Sequence, residues 1–220
     1  GSDQKLSSVE QSEGSLELRW DGPLSNQRGR FPLDVTMRIE FAGEAIHFHC
    51  TVCNRTRHPL AEVWYPILGG IRGFGRGRAG RDAELLIPTG NNAWRQKIFS
   101  DFGSTRGEAL GTLSGEHASC YPGFMSMPWI SIFNEKQGRA LWFAALEETP
   151  RVKYIRLAQS PGLAWDRPGG NWPRDNETRG VPAGITMNWA HFPFTPPGKT
   201  FEGSTIVLRC HEGGWRESAA

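Results

Sequence analysis

The fifteen residues Ile46–Leu60, IHFHCTVCNRTRHPL, decide how the chain is read. Two histidines and two cysteines fall within His47–Cys53, with His58 close behind, which is the raw material of a zinc site. Alternation breaks that set apart. In an extended strand Ile46, Phe48, Cys50 and Val52 share one face, and His47, His49, Thr51 and Cys53 share the other. The first set is apolar and faces a core, so Cys50 is read as a small buried hydrophobe. Cys50 and Cys53 point opposite ways, about 10 Å apart along the strand, beyond disulfide reach. His47 and His49 share a face and suit two zinc ligands. Cys53, however, lies about 13 Å beyond His49, so a third ligand would have to come from elsewhere. The stretch is read as a half-exposed strand, with no metal site and no cofactor expected.

The neighbouring sequence extends this pattern. DVTMRIEF (Asp34–Phe41) alternates, with Val35, Met37, Ile39 and Phe41 on one face. AGE then turns the chain into AIHFHCTVCN, which makes a β-hairpin. ISIFNEKQGRALWFAA is a second hairpin around the turn residues Asn134–Gly138. SLELRW, PLAEVWYPI, AELLIP, VKYIRLA, ITMNWAHF and STIVLRCH are further strand-like runs. Helical periodicity is nearly absent, and EVWYPILGGIRGF is broken by Pro66, Gly69 and Gly70. Many short strands without a long helix predict an all-β fold, a large antiparallel β-sandwich.

Composition narrows the function. The chain has 220 residues and a net charge of +2, close to balance. That argues against a general polyanion binder and against strong membrane-surface attraction. No apolar run approaches the ~20 residues of a membrane span. Four cysteines (Cys50, Cys53, Cys120 and Cys210) are too sparse for a disulfide scaffold. Nine tryptophans with 27 glycines and 15 prolines point to many turns and aromatic-bearing loops. The start, GSDQKLSSVEQSEGS, is polar and has no apolar signal-peptide core. Residues 1–14 are read as a cloning scar and a disordered N-terminus, and residues 15–211 as one sandwich domain.

Two loops stand out. RGFGRGRAGRD (Arg72–Asp82) resembles an RGG-type nucleic-acid segment. It is short and isolated in a near-neutral chain, so it is read as a solvated loop with no nucleic-acid partner. SPGLAWDRPGGNWPRDNETRGVPAG (Ser160–Gly184) is longer, and long ordered loops often carry function. Its Trp165, Asp166, Arg167, Trp172, Arg174, Asp175 and Asn176 combine flat apolar faces with hydrogen-bonding groups. Sugars present both C–H patches and hydroxyls, so this chemistry suits a carbohydrate. Packing of the tryptophans onto the sandwich is the competing explanation. Asp166, Asp175 and Glu177 offer carboxylates for glycoside cleavage only at a separation the sequence leaves open. No nucleophile elbow, P-loop or dinucleotide fingerprint is present. The sequons NRT (Asn54–Thr56) and NET (Asn176–Thr178) matter only in a eukaryotic secretory setting.

Four segments, in order, resemble a known family: CTVCNRTRHPLAEVWYPILGGI, ELLIPTGNNAW, YPGFMSMPWISIFNEKQGRALWFAALEE and VLRCHEGGWRESAA. Together they resemble the galactose-mutarotase-like β-sandwich (supersandwich) that precedes the catalytic barrel in certain bacterial glycoside hydrolases. The resemblance runs from about Ser15 to the C-terminus. It implies that residues 212–220 begin a linker helix into a (β/α)₈ barrel. It also implies that the catalytic carboxylates lie in that barrel and not in this chain. The YPGFMSMPW stretch, with Tyr121 and Trp129, would then be a cleft-facing loop. Mutarotase itself uses a histidine and a glutamate; that pair is not carried over to residues here, and fold does not transfer activity. The expected function is a non-catalytic N-terminal domain that packs on the barrel and helps shape a carbohydrate cleft. An autonomous carbohydrate-binding module and a mutarotase-like epimerase are the alternatives.

Overall fold

Strands are numbered in chain order. β5 (Leu33–Ala42) and β6 (Ala45–Asn54) form the hairpin expected from the alternation, closed by Gly43 and Glu44. Gly43 sits at φ 60°, the left-handed conformation that such a tight turn requires. Ala42 pairs with Ala45, so the two alternations run in phase. Phe48, Cys50 and Val52 are buried, and Val35, Met37 and Ile39 pack against the same core. Burial pushes the Cys50 thiol up to about 12, as expected for a cysteine acting as a hydrophobe.

The computed structural model describes residues 4–26, 28–71, 73–75, 82–98, 116–161 and 183–219. Around the hairpin lies a ten-stranded sheet. Its order is β1 (Ser8–Ser12), β2 (Ser15–Trp20), β5, β6, β16 (Thr205–Glu212), β12 (Arg139–Leu146), β11 (Trp129–Asn134), β8 (Glu84–Pro88) and β9 (Ala93–Lys97). The short β15 (Thr200–Glu202) also pairs with β6. A second sheet holds β10 (Glu116–Tyr121), β13 (Lys153–Pro161), β14 (Ala183–His191) and β7 (Val63–Ile71), in that order. A small ribbon pairs β3 (Leu24–Asn26) with β4 (Gly29–Phe31). Among the described residues every strand pairing is antiparallel.

The two sheets close on one apolar layer. Leu85, Ile87, Ile130, Ile132, Phe143 and Ile206 from the large sheet meet Ile155, Leu157, Ile185, Met187 and Trp189 from the small one. The Phe143 and Trp189 rings bridge the layer with centroids 6.1 Å apart. Each such large side chain contributes roughly 1.5–3 kcal/mol by leaving water. The second hairpin also forms. β11 and β12 join through a 3₁₀ turn, Glu135–Gln137, in which the Asn134 side chain accepts from the Gln137 N–H at 3.3 Å.

One expectation is corrected. The N-terminus is not disordered from Ser8 onward, because Ser8–Ser12 pairs residue by residue with β2. An edge strand is held by its ladder hydrogen bonds and needs no apolar face, so polar composition alone misleads there. At the other end, Trp215–Ala219 forms a short helix, α1. Five residues are not helical in isolation. Here Trp215 packs beside Leu86, Phe133 and Ala140, and the Ser218 hydroxyl meets Ser131 Oγ and His211 Nε2, each at 2.8 Å.

Candidate functional site

The outward face of the small sheet carries polar side chains on a buried strand, Thr186 and Asn188 of β14. Along β14, Ile185, Met187, Trp189 and His191 face the core, so Thr186, Asn188 and Ala190 face away. Asn188 is fully buried, and neither amide atom meets a hydrogen-bond partner among the described residues. Such a group costs free energy comparable to a lost hydrogen bond unless a partner or ligand satisfies it. Register sets Asn188 opposite Arg156 on β13, and Ala190 opposite Trp64 on β7. The Arg156 guanidinium lies over the Trp64 ring, 4.3 Å from its centroid. Trp64 Nε1 donates to Glu62 at 3.0 Å. Ala118, on the neighbouring β10, pairs with Arg156 and keeps this side of the platform low. An indole face, a guanidinium and a carboxamide thus stand side by side on rigid strands.

The same sheet anchors the long connections. β7 ends at Ile71, β10 begins at Glu116, β13 ends at Pro161 and β14 begins at Ala183, all at one end of the sheet. The tryptophan-bearing stretch is the connection from β13 to β14. Its Trp165, Asp166, Trp172, Arg174, Asp175 and Asn176 lie outside the described residues, as does most of the Arg72–Asp82 loop.

Tyr121 and Trp129 are placed apart. Tyr121 pairs with Lys153 at the opposite end of the small sheet, about 26 Å along β13 from Pro161. It packs against the main core, and Lys153 Nζ lies 5.2 Å from its ring centroid. Trp129 lies on the outward face of the large sheet, beside Phe133 and Trp215, and its Nε1 donates to Met127 Sδ at 3.4 Å. The two do not share a surface.

Beneath Tyr121 sits a buried charged cluster. Lys153 donates to Glu147 and, at 2.8 Å, to the Arg151 carbonyl. Glu147 also accepts from Ser204 Oγ at 2.6 Å and from the Arg151 N–H at 2.8 Å. Tyr65 donates to the Ser204 carbonyl at 2.5 Å, and His191 stacks on Tyr65 with centroids 4.7 Å apart. Burial, reinforced by the Lys153 charge, pushes His191 down to about 4. The imidazole is therefore neutral, sealed and part of the packing.

His47 and His49 lie on the outward face of β6, as the alternation predicts. The hairpin register adds a residue that the linear reading did not reach, because Glu40 pairs directly with His47. Counting back across the two-residue turn from Ala45 to Ala42 would have found it. Asn188 also has a sequence signal: it is the polar residue in the otherwise apolar middle of ITMNWAHF.

Comparison of the sequence with family models and with curated proteins gives no match. The fold does have solved relatives. Ninety-six per cent of the chain superposes on 71% of a galactose mutarotase-related enzyme from Lactobacillus acidophilus, with a TM-score of 0.54 at 10% identity. Ninety-six per cent also superposes on an α-galactosidase from Lactobacillus brevis, with a TM-score of 0.51 at 10% identity. The chain spans only 25% of that enzyme's length. The architecture is a galactose-mutarotase-like antiparallel β-sandwich.

Proposed function

We propose that this chain is a non-catalytic β-sandwich domain that precedes a (β/α)₈ glycoside hydrolase barrel, packs on it and helps shape a carbohydrate cleft. The observation that carries this reading is the outward face of the small sheet. There the unsatisfied Asn188 amide lies opposite Arg156, which covers Trp64. Trp64 and Arg156 are half-buried, so the indole not covered by the guanidinium can meet sugar C–H groups and the guanidinium can hydrogen-bond hydroxyls, while Asn188 is sealed in the same face. Trp165, Asp166, Trp172, Arg174, Asp175 and Asn176 belong to the connection from β13 to β14, and in this reading they add sugar contacts. Tyr121 and Trp129 serve packing instead. The likeness to a quarter of an α-galactosidase supports an accessory role, since a sandwich of this kind occurs there beside other chain.

The experiment is to read the coding sequence beyond Ala220 and to assay the longer chain on aryl α-galactosides and other aryl glycosides. A following stretch of barrel length, around 250 residues, with hydrolysis that this chain lacks alone is the expected result. A coding sequence that ends without such a stretch overturns the accessory reading and leaves an autonomous carbohydrate-binding module.

A further inference from the structure

The outward face of the large sheet carries a cluster that the proposed function does not use. Glu40 on β5 faces His47 on β6 in register, and His49 follows His47 by two residues on the same face. One nitrogen of each histidine and one carboxylate oxygen all lie within 4.8 Å of one another. Glu40 Oε2 stands 3.1 Å from His49 Nε2. All three residues are half-buried. Glu40 and His49 line a shallow depression of about 300 Å³ together with Glu17, Thr36, Arg38 and Thr51.

We propose that Glu40, His47 and His49 form a binding site for a divalent ion of the zinc class, with the fourth position open to solvent. A tetrahedral ion with bonds of about 2.0–2.1 Å sets its ligand atoms roughly 3.3 Å apart. The Glu40–His49 pair already has nearly that separation. The wider spacing closes by rotation of half-exposed side chains on a rigid hairpin. Two imidazoles and one carboxylate favour zinc over calcium or magnesium, which take all-oxygen shells.

The surroundings fit a coordination site. Thr205 Oγ1 lies 3.3 Å from His49 Nδ1, which orients the ring and leaves Nε2 for the ion. Arg38 Nη2 holds the other carboxylate oxygen, Glu40 Oε1, at 2.5 Å, and so leaves Oε2 available. Glu17, the residue paired in register with Arg38, is itself engaged by Arg19. Cys53 lies two pairs further along the same face of β6, opposite Asp34. It stays outside the ligand set.

The test is zinc titration by calorimetry on tag-free, chelator-treated chain, with cobalt(II) absorption reporting geometry. One Zn²⁺ per chain and a tetrahedral Co²⁺ spectrum are expected, with no response to Mg²⁺ or Ca²⁺. His47→Gln and His49→Gln each weaken binding by more than about 100-fold, beyond the usual effect of losing an outer-shell partner. Thr205→Val weakens it by about tenfold, and Cys53→Ser leaves it unchanged. Zn²⁺ raises the unfolding midpoint of the wild type and not that of His49→Gln, whose own midpoint without metal shows that it folds. No stoichiometric binding at ~100 μM Zn²⁺, binding that survives both histidine variants, or binding abolished by Cys53→Ser overturns the proposal. The pair would then be an ordinary His–Glu surface contact.

Discussion

Glu147→Gln should be among the most damaging single substitutions in the chain, although it changes one atom. The Lys153 side chain has 0% exposure and that of Glu147 has 7%. Glutamine keeps the shape but removes the charge that compensates a buried ammonium. Breaking a buried pair from one side costs about 3–5 kcal/mol. For a domain of this size, each kcal/mol moves the thermal midpoint by roughly 2–4 °C, so a fall of around 10 °C follows. With a urea slope near 2–3 kcal/mol/M, the midpoint drops by about 1.5 M. The double variant Glu147→Gln/Lys153→Met removes both charges and should recover most of that loss. The pH response separates this from a packing defect. Burial lowers the Lys153 pKa and the Glu147 charge raises it. Without Glu147 it falls further, while the unfolded chain still binds that proton up to about pH 10.4. The unfolded state then holds more protons, so the stability of Glu147→Gln must rise with pH above the folded pKa. A loss below about 1 kcal/mol, the range of an exposed pair, or a flat pH response would refute the reasoning.

His191 supplies a second pH dependence of known sign. Its folded pKa of about 4 lies below the ordinary 6.5. The neutral ring therefore stabilises the fold fully above about pH 6.5, and up to about 3 kcal/mol is lost as pH falls toward 4. Chemical denaturation of the wild type and His191→Phe across pH 7–5 should show a steeper fall for the wild type, and parallel curves would contradict the assignment. Gly203 is required by contact, since a methyl group there would overlap the Tyr65 hydroxyl. Gly203→Ala should cost about 1–3 kcal/mol, in part restored by adding Tyr65→Phe; an unchanged urea midpoint would contradict this. Cys50, buried and held well above the ordinary thiol range, should resist thiol reagents until the chain unfolds, while the exposed Cys210 can be reached in the folded chain.

Alternation made the sandwich legible wherever a strand had one apolar face. Ile46, Phe48, Cys50 and Val52 were separable from His47 and His49 without any long-range information, and Asn134–Gly138 announced its turn. The edge strand Ser8–Ser12 was not legible, because ladder hydrogen bonds leave no mark on composition. The candidate sites were less readable for a related reason. Glu40 and His47 are adjacent only through hairpin register, and Trp64, Arg156 and Asn188 come from three strands whose neighbours are set by sheet order. Tyr121 and Trp129, close in sequence, separate because β10 and β11 belong to different sheets. Local pattern fixes which face a residue uses, whereas topology fixes what stands beside it.

Calorimetric titration with galactose, methyl α-galactoside and other small glycosides tests the central claim most directly. The wild-type chain should bind at least one of them in the millimolar range, near −4 kcal/mol. Trp64→Ala and Arg156→Ala should each abolish that heat while leaving the unfolding midpoint high enough for a folded chain. Binding that is unaffected by both substitutions, or no binding to any glycoside at millimolar concentration, would contradict a carbohydrate-facing small sheet.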